Sequence, residues 1–191
     1  GKASTLGPIF QTNAPIDIIG THGQAALTPA QEQLRQDHEW PRWRSESEDV
    51  YSSCSTMASH LVNDYNHANV TATIEWPAMK GYYHSLPWGE HTMFINASTP
   101  WSGRYTVSCF VWVFAHLSQF AEPGWTYLQP QSNGQLPDGG TYSALVSPSK
   151  MDLSILLETV NVKKTQNVTF ALPGGFQDRQ FEVWTSNLTT Q

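Results

Sequence analysis

The chain has 191 residues, 39% of them hydrophobic and 14% charged, with a formal net charge of −6 and only ten Lys plus Arg. This size and apolar content allow one large domain or parts of two, each with a real core. The absence of a basic run argues against a nucleic-acid partner, and no apolar run approaches the roughly 18 residues needed to span a bilayer.

The N-terminal G-K-A-S-T-L-G-P-I-F has no signal-peptide architecture, which fits a mature chain or one that starts within a longer precursor. Residues 1–14 read as an irregular lead-in. Ile16 to Gly20 is a short apolar run stopped by glycine and predicts a buried strand, with Thr21, His22 and Gly23 at its C-terminal edge. Thr28-Pro29-Ala30-Gln31-Glu32 predicts an N-cap followed by Pro at the first helical position, and a helix to about Gln36. Pro41 to Ser45 predicts a second strand that leads into Ser45-Glu46-Ser47-Glu48-Asp49. Met57, Leu61, Val62 and Tyr65 form an apolar stripe on a predicted helix over 52–66. Val70 to Trp76 is rich in β-branched residues and predicts a third strand.

A long aromatic loop region follows, and then an apolar helix from about Phe110 to Phe120, ended by Pro123-Gly124. Five of the eight tryptophans lie between Trp76 and Trp125, among several Gly and Pro. Such a cluster fits either shaped loops around a carbohydrate site or an aromatic core. Beyond Trp125 the texture becomes that of antiparallel β structure, with strands expected near 125–129, 141–146, 152–158, 166–171 and 180–185. The domain boundary is placed near Pro123.

Four N-x-S/T sequons, at Asn69, Asn96, Asn167 and Asn187, point to a secretory route. Cys54 and Cys109 fit one disulfide in an oxidising compartment, the alternative being two buried free thiols. No metal-ligand spacing, phosphate loop or G-x-S-x-G elbow is present, so no metal or cofactor is expected. In a parallel barrel, catalytic groups project from the C-terminal ends of strands. Glu46 stands at such an end, and a carboxylate there can form a covalent glycosyl intermediate. The same acidic stretch also reads as a solvated turn. Alternation along the strand directs Glu75 away from a pocket faced by Trp76. His22 is placed to hydrogen-bond a sugar or to orient a carboxylate.

Several motifs, taken in order, resemble glycoside hydrolase family 59. They are I-D-I-I-G-T-H at 16–22, W-R-S-E at 43–46, T-A-T-I-E-W at 71–76, Y-Y-H-S-L-P-W at 82–88, P-W-S-G-R-Y at 100–105, V-W-V-F-A-H-L-S-Q-F at 111–120, P-G-W-T-Y-L at 123–128 and G-G-T-Y-S-A-L at 139–145. The resemblance implies an α/β plus all-β chain. Residues 1–123 would supply the last three strand–helix units of a (β/α)8 TIM barrel, and 124–191 part of a β-sandwich. It implies retaining cleavage of β-galactosyl bonds, notably of galactosylceramide, in a lysosomal or secreted setting. Through Trp43 and Ser45, the family's nucleophile maps onto Glu46, with Glu48, beside Asp49, as the fallback. Trp76 and Trp88 would form the pocket wall, with Trp88 where the family usually has a tyrosine, and His22 and Ser45 would line the substrate. Trp101, Trp112 and Trp125 would pack the last helix and the junction with the sandwich.

The departures from the family are specific. The family's acid/base Glu follows an Asn at the end of the fourth strand, which lies outside this chain, so another chain or segment would have to complete the barrel. The family's arginine loop in the sandwich has no counterpart between Val160 and Asn167, and the cysteine positions differ. The alternative reading is a catalytically silent relative that binds carbohydrate or serves as a structural part of an extracellular assembly. Glycan mapping of native material is expected to find modified sequons, and four bare asparagines would rule out the secretory route.

Overall fold

The computed structural model describes residues 15–22, 27–46, 53–76, 78–81, 94–97, 101–128, 134–172 and 180–188. Strand β1 (Ile19–His22) leads to helix α1 (Pro29–Asp37), strand β2 (Arg42–Glu46), helix α2 (Cys54–Ala68) and strand β3 (Val70–Thr73). The first strand is therefore shifted toward Thr21 and His22 relative to the 16–20 expected from apolarity, because pairing with β2 sets its limits: the Ile19 amide donates to the Pro41 carbonyl. β1 pairs parallel with β2, and β2 parallel with β3. The third strand is shorter than its β-branched run, although the Ile74 amide still donates to the Arg44 carbonyl.

The helix ends follow from local chemistry. Thr28 caps α1 by accepting from the Gln31 amide, and the Gln31 side chain accepts from the Thr28 amide, a reciprocal capping box. Ser53 caps α2 in the same sense by accepting from the Thr56 amide. α2 ends at Asn69, whose φ of 51° and ψ of 33° place it in the left-handed region that Asn tolerates, turning the chain straight into β3.

Three short strands follow, β4 (Met79–Gly81), β5 (Ile95–Ala97) and β6 (Thr106–Val107), in a small mixed sheet within the stretch expected to be loop. Helix α3 (Cys109–Ser118) comes next, then β7 (Thr126–Leu128), β8 (Thr141–Val146) and β9 (Leu153–Glu158), an antiparallel sheet in the order 7-8-9. No strand forms at 166–171 or 180–185. Residues 180–185 are exposed, and the chain meets the last helix and the turn after it only through Trp184 and the residues that follow. Ser186 Oγ lies 2.8 Å from His116 Nε2, the rings of Trp184 and Phe120 meet at 5.8 Å, and Leu188 packs against the core.

α2 lies at the centre of these contacts. Its Cys54, Met57 and Leu61 join Phe110 and Val113 of α3 in the buried core, with Phe94, Phe114 and Leu188 around them. The Cys54–Cys109 disulfide ties the first turn of α2 to the first turn of α3, with a Cα–Cα distance of 5.9 Å. Closing its 55-residue span contributes about 4 kcal/mol in the chain-entropy account. Toward the antiparallel sheet, Asn66 donates to the Tyr142 carbonyl and accepts from Ser143 Oγ at 2.7 Å, and Tyr65 stacks on Tyr127 with centroids 4.2 Å apart. Burial raises both phenols above their ordinary pKa. Gly134, at φ +67°, sits against Asn66 and the Tyr142 carbonyl so closely that a Cβ there would collide with both.

Toward the parallel sheet, Arg44 Nε donates to Asp64 Oδ2 at 2.7 Å, and a second guanidinium nitrogen meets the other carboxylate oxygen. The side chains are 3% and 8% exposed, so neither charge can recover solvation if its partner is removed. Asp64→Ala is expected to cost about 3–5 kcal/mol in chemical denaturation. Lys164→Ala, which breaks the exposed Lys164–Asp138 pair, is expected to cost about 1 kcal/mol or less.

Candidate functional site

The two faces of the parallel sheet differ. Ile19, Thr21, Arg42, Arg44 and Val70 are buried, and Arg42 and Arg44 reach the Ala68 carbonyl and Asp64 of α2. On the other face Ile18, Gly20, His22, Ser45 and Ile74 are exposed and Trp43 is half-buried. Among the described residues nothing is layered on this face, and β1 and β3 each pair on one side only. Parallel sheets are ordinarily covered on both faces.

The carboxyl ends of β1 and β2 lie together on this open side. Register runs Ile19 with Arg42, Gly20 with Trp43 and Thr21 with Arg44, then skips Ser45 so that His22 stands opposite Glu46. Strict alternation would leave Glu46 on the face of Arg42 and Arg44, against the helices. An irregularity of this kind re-aims side chains and is common beside functional sites. Here it brings Glu46 Oε2 to 3.3 Å from His22 Nε2, with the side chains 32% and 58% exposed. The absence of a side chain at residue 20 makes the arrangement possible. A Cβ on Gly20 would stand 3.2 Å from Ser45 Cβ, closer than nearly all such contacts.

Of the residues expected at the site, the structure brings together His22, Ser45 and Glu46. Trp76 follows the end of β3 and is more than half exposed. Glu75 is half-buried. Glu48, Asp49 and Trp88 lie outside the described residues. Trp101 does not pack the last helix: it is 97% exposed on a turn at φ 75°. Trp112 is also exposed, because α3 turns Phe110 and Val113 inward and residue 112 falls on the opposite side. Asn69, Asn167 and Asn187 are exposed, and Asn96 is half-buried within β5.

A cavity of about 480 Å³ lies on the other side of the sheet, between α1, β2 and the end of α2, lined by Glu32, Arg42, Arg44, Asp64 and His67 among others. It includes neither His22 nor Glu46, and its charges are largely matched, Arg44 with Asp64 and Glu32 with Arg35. The strand ends on the open face are therefore the better candidate for chemistry.

Residues 9–119 match glycosyl hydrolase family 59, which is more than half of the chain, and the chain belongs to that family. It is similar to the galactocerebrosidase of Salmo salar (33% identity over 188 residues, 90% of this chain and 27% of the relative). It is likewise similar to the galactocerebrosidases of Canis lupus familiaris (33%, 91% and 28%) and Homo sapiens (32%, 91% and 27%). The chain thus spans just over a quarter of the length of these curated relatives. No described helix is long and apolar enough to cross a membrane.

The close approach of residue 20 to Ser45 predicts a steric limit. Gly20→Val is expected to lower stability by about 1–3 kcal/mol through overpacking, and Gly20→Ala by less, in matched denaturation curves.

Proposed function

We propose that this chain supplies the nucleophilic half of a retaining β-galactosidase active site of the galactosylceramidase type, with Glu46 as the nucleophile. The observation that carries the reading is the position of Glu46. It sits at the carboxyl end of the central strand of a three-stranded parallel sheet, turned by the register shift onto an open face beside His22. In this reading residues 1–123 are the last three strand–helix units of a (β/α)8 barrel and 124–191 begin a β-sandwich. The β-α-β-α-β order, and the two edges and the face that no described residue pairs with or covers, support it, because three strands cannot close a barrel. Another chain or segment completes the barrel and brings the acid/base carboxyl group.

The reaction then follows the two-step retaining course. One Glu46 oxygen attacks the anomeric carbon, forming a C1–O ester bond as the bond to the aglycone breaks, and the leaving oxygen takes its proton from the acid/base carboxyl group. Water then attacks the same carbon, giving its proton to that carboxylate, and Glu46 is released. The galactose ring rests against the tryptophan wall for which Trp76 and Trp88 are the candidates, with Ser45 beside it. The similar proteins and the four sequons support a galactosyl glycolipid as substrate and a lysosomal or secreted location.

A second reading, a silent relative that binds carbohydrate within an extracellular assembly, is favoured by one feature. The segment after β9 folds back on its own sheet: the Lys163 amide donates to the Asp138 carbonyl and Gln166 Nε2 to the Gly139 carbonyl. A loop held in this way is not free to carry a cation into a pocket.

A 2-deoxy-2-fluorogalactoside with an activated leaving group separates the two. Peptide mapping of the treated native assembly is expected to find the fluorogalactosyl ester on Glu46, abolished in Glu46→Gln. No adduct on the intact assembly would establish the silent relative.

A further inference from the structure

We propose that His22 is a positioning residue for the Glu46 carboxylate and not a ligand of the sugar, an assignment that rests on the reading of Glu46 as nucleophile. A carboxylate that attacks carbon must present one oxygen to the substrate while the other is held, otherwise rotation about its last bond spreads the attacking lone pair over unproductive directions. His22 Nε2 is 3.3 Å from Glu46 Oε2, which leaves Oε1 for attack. Nε2 is the distal ring nitrogen. Once it faces Glu46, only Nδ1, the nitrogen nearer the backbone, is left for other partners.

Two further features hold the pair in this arrangement. The register shift puts residue 46, not 45, opposite residue 22. The bare Cα of Gly20 leaves room for Ser45 beside it, where a Cβ would stand 3.2 Å from Ser45 Cβ. An Nε2–H is present in the protonated ring and in the neutral tautomer that carries its proton on Nε2, so the role needs a donor at that point in space and not a charge. A glutamine amide at residue 22 can place an N–H in nearly the same position.

The test compares wild type, His22→Ala and His22→Gln in the intact native assembly, reading the rate of fluorogalactosyl labelling at Glu46 together with kcat and KM. The activated leaving group needs no proton, so the labelling rate reports nucleophile geometry apart from the acid. Loss of this polar contact to the carboxylate predicts labelling and kcat about 10- to 100-fold slower in His22→Ala with KM little changed, and substantial recovery in His22→Gln. An unchanged labelling rate in His22→Ala, or a raised KM at constant kcat, overturns the assignment while leaving Glu46 as nucleophile. A wild type that labels elsewhere or not at all overturns the nucleophile reading itself. His22 is well exposed, so both variants are expected to keep the wild-type melting temperature, and a drop shared equally by Ala and Gln variants would count against a positioning role.

Discussion

Helix α2 buries its one acidic residue, Asp64, and the fold is arranged around that constraint. Asp64 lies buried one turn from its C-terminus, where a lone carboxylate would be costly, and Arg44 of β2 answers it with two contacts. That pairing fixes which face of the parallel sheet meets the helix. The opposite turns of the same helix bury Met57 and Leu61 against α3, and Asn66 reaches the backbone of β8. One helix thus joins the parallel sheet, the last helix and the antiparallel sheet, so the register of each depends on the others.

The position of the candidate site follows from this. With Arg42 and Arg44 committed to the helix side, regular alternation would have turned Glu46 inward as well. The skipped residue at Ser45 reverses that, and the bare Cα of Gly20 makes room for it. The result is an acidic side chain and an imidazole at adjacent strand ends on a face that nothing described covers. An edge and a face left open in a parallel sheet are costly to an isolated chain. The proposed completion by another segment explains why this one tolerates them.

How much of this was legible in the residues varied with the kind of signal. α1 and α2 were readable because their caps, Thr28 with Gln31 and the stripe from Met57 to Tyr65, are local and periodic. β8 matched its expected limits because its alternation is real, with Thr141, Ser143 and Leu145 buried in turn. The strands β4, β5 and β6 have two or three residues each, too short for any period to show. The alternating stretch 180–185 failed for the opposite reason. Alternation says that a segment suits a half-buried surface, and here Phe181 and Val183 meet none and stay exposed. Trp101 was expected inside and lies in solvent on a turn, a position that no periodic signal along the chain marks.

The sequence by itself determined the family, the helices, the pairing of Cys54 and Cys109 as one of two options, and the candidacy of Glu46 and His22. Those depend on residue identity and short-range order along the chain. Only the tertiary structure decided that the two cysteines meet, that Arg44 belongs to Asp64, and that Glu46 stands opposite His22 instead of Ser45. Each of these depends on register between strands or on contact between distant elements. A shift of one residue in such a register reverses every side chain beyond it, and the linear order of the chain carries no record of that choice.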